Sequence, residues 1–172
     1  MKKDNSTELL PIVDEGGNVQ GCATRGECHD GSKRLHPVVH LHLLNDGGQL
    51  YLQQRPQWKD IQPGKWDTAV GGHVAAGESV EAAARRELSE ELGITGEPEF
   101  FFNSIIKNSV ESELVTVFKL VSDGPFDFSK EEIDEVRFFD LADFAEPANR
   151  LRDDFTPNLQ KELADILEYI GK

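Results

Sequence analysis

Three glutamates, Glu87, Glu90 and Glu91, stand close enough in the chain to be carried by little more than one turn of helix. At about 100° per residue, Glu91 falls roughly 40° and Glu90 roughly 60° from Glu87 around a helix axis, so the three carboxylates share one face. Like charges held this close repel, which is costly at neutral pH unless cations neutralise them, and hard oxygen donors suit Mg²⁺ or Mn²⁺. Arg86, one turn before Glu90, can hold a carboxylate by a charge-assisted bond and so orient it toward an ion. Gly72 allows backbone to approach a metal or phosphate closely, or makes a tight turn. A solvated acidic face would account for the glutamates alone, but it gives no role to Gly72, Glu78, Arg86 and Gly93 at their offsets.

The elements that must position these groups are marked along the chain. Ser79 is placed to cap a helix over Val80–Leu92, and Gly93 to end it in the left-handed conformation. Val80, Ala84, Leu88 and Leu92 recur every four residues and form the expected buried stripe. Leu9–Val13 and Val19–Ala23, joined through Glu15-Gly16-Gly17-Asn18, read as an N-terminal hairpin. Val38–Leu44 and Leu50–Arg55, joined through Asn45-Asp46-Gly47-Gly48, read as a second. Residues 56–65, with Pro56, Pro63 and Gly64, make a loop at the rim of a site, followed by a short strand over Trp66–Val70. Phe100–Lys107, Leu114–Val121 and Val136–Phe139 read as further strands. Thr156-Pro157 opens a last helix through Ile170, closed by Gly171. Strands dominate the middle, helices are few and no repeat is evident, which predicts a mixed α+β sandwich with helices packed on sheets.

A chain of 172 residues suits one domain over residues 1–172, with the hairpin of residues 1–35 as an extension. Apolar residues at 38% and charged residues at 29% fit an ordinary soluble protein. The polar Met1–Thr7 leads into no apolar segment, and no stretch approaches the roughly 18 apolar residues of a membrane span, so a cytoplasmic location without membrane attachment is expected. Cys22 and Cys28 are too few for a disulfide framework and are expected to be buried, reduced thiols. The formal charge of −14 disfavours a nucleic acid polymer as partner. A small anionic substrate is compatible with it when cations stand between substrate and carboxylates.

The segment Gly72-x5-Glu78-x7-Arg86-Glu87-Leu88-x-Glu90-Glu91-x-Gly93-Ile94 resembles, at every defining position, the box over residues 72–94 that marks the Nudix superfamily. The resemblance implies an α/β/α sandwich in which a strand-loop-helix carries the box. It also implies Mg²⁺ or Mn²⁺ bound by Glu87, Glu90, Glu91 and Gly72 on a small-molecule diphosphate, and water activated for attack on phosphorus. Glu90 or Glu87 is then the base, assisted by Arg86; the sequence does not choose between them.

A longer likeness, over roughly residues 8–125, is to the isopentenyl-diphosphate isomerase branch of that superfamily. His29-x6-His36, His73 and Glu111-x-Glu113 are similar to that enzyme's three-histidine, two-glutamate site, which implies a second divalent cation. Cys28 is a weaker ligand candidate. Arg55 and Lys59 resemble the isomerase's basic grip on a diphosphate. Glu113 serves either as a ligand or as a catalytic carboxylate from outside the helix. His40 and His42, on one face of a strand, are assigned no ligand role. Gly71 stands where the isomerase has its catalytic cysteine and offers no acid or base, whereas Glu87, Glu90 and Glu91 are all present, so hydrolysis is expected over isomerisation. The alternatives are an isomerase-like enzyme and a non-catalytic ligand-sensing module, and a homodimer is compatible with either.

Overall fold

The computed structural model describes residues 5–59 and 61–170. In order these form β1 (Leu9–Val13), β2 (Val19–Thr24), α1 (Arg25–Cys28), β3 (Leu35–Leu44), β4 (Gln49–Gln54), β5 (Trp66–Thr68), β6 (Val70–His73), α2 (Val80–Leu92), β7 (Glu99–Lys107), β8 (Ser112–Val121) and β9 (Glu135–Asp140). A 3₁₀ turn (Leu141–Ala145), α3 (Pro147–Arg150) and α4 (Pro157–Ile170) follow. Gly171, expected to end the last helix, lies outside the described residues.

β1 and β2 pair as a separate antiparallel hairpin, and the other strands build one mixed sheet in the order β5-β4-β3-β8-β7, with β6 on β3 and β9 on β4. β3 is the hub. It runs parallel to β8 from Leu35↔Ser112 to Leu44↔Val121, and antiparallel to β6 and β4 on its other edge. Side chains alternate along a strand, so β3 is buried on both faces. Val39, Leu41 and Leu43 pack with Ala83, Ala84, Leu88 and Leu92 of α2. On the opposite face Val38 packs with Val115, Val117 and Ile166 of α4, and Leu159 and Leu163 of α4 meet Leu50, Leu52 and Trp66. The result is the helix-sheet-helix sandwich expected from the sequence.

α2 has the expected bounds. The Ser79 side chain accepts from Ala82 N, and Gly93 adopts φ 65°, which satisfies groups that an uncapped helix would leave unpaired. Ala83 joins the buried stripe, and Val80 at the first turn is only partly buried. The strand expected over Trp66–Val70 is instead two, interrupted at Ala69, with β6 running on to His73 because Val38–Leu41 of β3 supply its hydrogen-bond partners. Cys28 is buried with Leu10 and Ala23, but Cys22, expected inside, is exposed on the outer side of the hairpin.

Candidate functional site

A cleft of about 1020 Å³ brings together residues from nearly every part of the chain, including Glu87 and Glu91 of α2, Gly71 to His73 of β6, His29, Glu111, Glu113, Arg55 and Lys59. Its position follows from β6. Val39 pairs with Gly72 and His40 with Gly71, so the adjacent glycines face opposite sides of the sheet. A Cβ at Gly72 would overlap the Glu87 carboxylate, so glycine is needed there for the helix carboxylate to reach the strand. A Cβ at Gly71 would stand 3.1 Å from Cδ2 and 3.4 Å from Nε2 of His40.

The three helix glutamates are not equivalent. Glu91 accepts from Gln53 Nε2 at 3.0 Å, and burial, reinforced by the neighbouring Glu87, pushes its carboxyl up to about 8. Burial also raises Glu87, against the lowering effect of Arg86. Glu90 is 60% exposed, does not line the cleft and lies 3.3 Å from Arg86. Arg86 is the organiser. It donates from Nε and Nη2 to the two oxygens of Glu78 at 2.8 and 2.9 Å, from Nη1 to Glu87 at 2.6 Å, and from Nη2 to the His73 carbonyl at 3.0 Å. The fork therefore binds Glu78, which the spacing left without a role, and fixes Glu87 and the end of β6 together. Gln53 carries no signal in the sequence; only the pairing of β4 with β5 and the proximity of α2 give it meaning.

His29, His36 and His73 converge, with ring centroids 5.1 to 5.4 Å apart. His29 Nε2 lies 3.2 Å from His73 Nε2 and 3.0 Å from Glu111 Oε2. The nitrogens of the three histidines lie within 4.8 Å of one another, as do ligand atoms of His36, Glu111 and Glu113. His36 Nδ1 donates to the Arg34 carbonyl at 2.9 Å, which leaves the lone pair on Nε2, and that buried nitrogen has no hydrogen-bond partner among the described residues. Burial lowers His36 and takes His73 well below the usual imidazole range, so both are neutral donors. An orphaned lone pair on an imidazole whose tautomer is fixed by a carbonyl suits a divalent ion. Glu113 is buried, and burial with Glu111 beside it raises its carboxyl to about 7; Asn158 lies 3.5 Å away. Cys28 is not part of this cluster, and burial raises its thiol.

Arg55 and Lys59 line the cleft as half-buried cations. Arg55 pairs with Asp67 at 3.2 Å and donates to the Ile61 carbonyl, and Lys59 lies over the Trp58 ring and 3.9 Å from Glu132. His40 and His42, assigned no ligand role, both bond to Glu162 of α4.

Residues 34–159 match the NUDIX domain model. The chain is 31% identical to isopentenyl-diphosphate Delta-isomerase 1 of Photorhabdus laumondii, over 94% of this chain and 96% of that protein. It is 34% identical to the uncharacterized Nudix hydrolase YfcD of Escherichia coli K12, over 92% and 86%. Among solved structures, a Deinococcus radiodurans protein superposes with a TM-score of 0.73 at 26% identity, covering 92% of this chain and 98% of that one. A MutT protein from Methanosarcina mazei, at 22% identity and a TM-score of 0.70, shares the fold. With the matched domain spanning the main sheet, α2 and most of the cleft lining, the chain belongs to the Nudix family, on its pyrophosphohydrolase side.

Proposed function

We propose that the protein hydrolyses the diphosphate bond of a small organic diphosphate, such as a nucleoside diphosphate linked to a further group X, with Mg²⁺ or Mn²⁺ as the working cation. The observation that carries this reading is the half-buried Glu87–Glu91 pair in the cleft wall, with Glu91 at about 8. Glu87 is met by Arg86, whereas Glu91 accepts from the neutral Gln53 amide and carries full charge at neutral pH only beside a further cation. Glu87 and Glu91, with the Gly72 backbone and Glu90 at the outer edge, would hold it. Such an ion lowers the pKa of water and draws charge from the attacked phosphoryl group.

The chain's own groups divide the remaining work. Arg86 keeps Glu87 directed at β6, and Arg55 and Lys59 offer positive charge to the diphosphate from the rim loop. Glu113, at about 7, is matched to taking a proton from water near neutral pH. His29, His36, His73 and Glu111 would hold a second divalent cation, with Glu113 as a ligand when it is not the base. The test is a panel of nucleoside triphosphates, dinucleotides, nucleotide sugars and isoprenoid diphosphates assayed with Mg²⁺ and with Mn²⁺. Metal-dependent release of phosphate-containing products from a member of the panel is expected; no hydrolysis of any member with either metal would contradict the reading.

Isomerisation of isopentenyl diphosphate is the second reading, favoured by the isomerase relative and by the three-histidine, two-glutamate cluster. Against it, Gly71 supplies no acid or base, and the ring edge of His40 lies beside the position a thiol would occupy. Turnover of isopentenyl diphosphate to its allylic isomer at enzymatic rates would favour this reading.

A further inference from the structure

Behind the cleft wall lies a set of titratable groups that the hydrolytic scheme leaves unused. Glu162 has no exposed surface, and its two oxygens accept from His40 Nδ1 at 2.5 Å and from His42 Nε2 at 2.7 Å. A carboxylate removed from water needs a compensating charge, and one of the two imidazoles must supply it. Their remaining nitrogens differ. His42 Nδ1 lies 3.5 Å from the Thr68 hydroxyl in the core, and that hydroxyl donates to the Leu41 carbonyl. His40 lines the cleft, and its Nε2 edge lies beside Gly71.

The groups around His40 favour its charged form. Burial alone would lower its imidazole, but Glu162 overrides this, with help from Asp67 and Glu113, and takes it to about 9. The same pairing, against burial, holds Glu162 down at about 2. With the charge on His40, the dyad is a neutral unit whose negative end lies in the core and whose positive end lies at the cleft. It is fixed in place by α4 on one side and β3 on the other, so it needs no reorganisation to meet an anion.

We propose that His40 is a substrate-contacting residue whose Nε2–H, held toward the cleft by Glu162, donates a hydrogen bond to a diphosphate oxygen of the bound substrate. The inference rests on the diphosphate reading above and deepens it. A phosphate oxygen is the partner that an imidazolium N–H favours, and a cleft wall otherwise rich in carboxylates gains from a fixed donor where a second anion must enter. The same contact gives Gly71 a purpose. Any side chain there would press on the Nε2 edge, so glycine keeps the donor open to the cleft.

The test uses methylenediphosphonate, a non-hydrolysable diphosphate, with Mg²⁺ and the full-length protein. Nitrogen NMR of the parent should show the His40 Nε2 resonance, assigned by its absence in His40→Asn, moving as the analogue is added. In calorimetry, Gly71→Ala sets a methyl against the His40 ring beside Nε2, and it should raise the Kd roughly tenfold or more. His40→Asn should do the same if it folds. A parent that binds the analogue without a change at Nε2, or Gly71→Ala binding within about twofold of the parent, would overturn the proposal. Failure of the parent to bind the analogue at all would also overturn it, while hydrolysis of the substrate panel would still decide the activity independently.

Discussion

The two cation-ready clusters of the cleft are built by opposite routes. Glu87, Glu90 and Glu91 come from little more than one turn of α2, and the sequence interval alone sets their mutual placement. The histidine cluster is assembled by the sheet. His36 and Glu113 are register partners of the parallel β3–β8 pair, His73 lies opposite Val38 on β6, and His29 follows α1. Burial favours the uncharged form in both, with opposite consequences. It raises Glu87 and Glu91 and so leaves the helix cluster in need of a cation, whereas it lowers His36 and His73 and leaves them as neutral donors already. A helix face thus concentrates charge that a metal must offset, while a sheet gathers lone pairs that a metal can use.

The largest effect expected is at the helix. Glu91→Gln should fold normally and lower kcat by roughly 10²–10⁴-fold, because a neutral amide holds a divalent ion poorly. Glu90→Gln should cost less, since that carboxylate is exposed outside the cleft lining. Steady-state kinetics of the two variants ranks them, and a Glu90→Gln loss as deep as that of Glu91→Gln would break the distinction drawn within the helix cluster.

Gly72→Ala comes next. The added methyl would displace the Glu87 carboxylate, and activity should fall about 10- to 100-fold, with the thermal midpoint shifted by only a few degrees. Unchanged activity would mean that Glu87 does not need to rest against β6. On the other cluster, His36→Ala removes the orphaned Nε2 and should weaken a cation there by about tenfold or more, while leaving the helix cation in place. Titration with Mn²⁺ followed by electron paramagnetic resonance resolves the two classes of site. Equal weakening of both would show that the clusters are not separate.

The smallest effect concerns stability. His40 has a folded value of about 9 against 6.5 for the free imidazole, so its pairing contributes fully below about pH 6.5 and is lost as pH rises through about 9. Glu162, at about 2 against 4.5, contributes above about pH 4.5 and loses that contribution as pH falls toward 2. The dyad's share of stability is therefore greatest between about pH 4.5 and 6.5. Urea unfolding across pH should show that share vanish in Glu162→Gln; an identical pH profile in parent and variant would deny the charged pair.

The same contrast explains what could be read from the sequence. α2 was legible to the residue because a capping serine, a four-residue apolar repeat and a terminal glycine are local signals that agree. The break of Trp66–Val70 into β5 and β6 was not, since glycines 71 and 72 have poor strand propensity and only the edge of β3 makes them a strand. α1 does carry a local signal, Thr24 and Glu27 in a reciprocal cap, but four residues are too short to stand out. At the site, the helix glutamates could be placed by geometry, and the five residues of the second cluster only by likeness to a known constellation. Glu162 had only a weak signal, its place three residues after Leu159 and four before Ile166 at the edge of the apolar stripe. That position does not say what a buried glutamate would bond to, because its two histidine partners lie some 120 residues earlier in the chain.

The central claim is that the α2 carboxylates serve attack of water on a diphosphate. Its most direct test follows phosphorus NMR of the reaction in ¹⁸O-labelled water with Mg²⁺, on whichever member of the panel is turned over. ¹⁸O is expected in a released phosphate product, with incorporation abolished in Glu91→Gln. Isopentenyl diphosphate converted to its allylic isomer, with no label entering phosphate from any member of the panel, would contradict it.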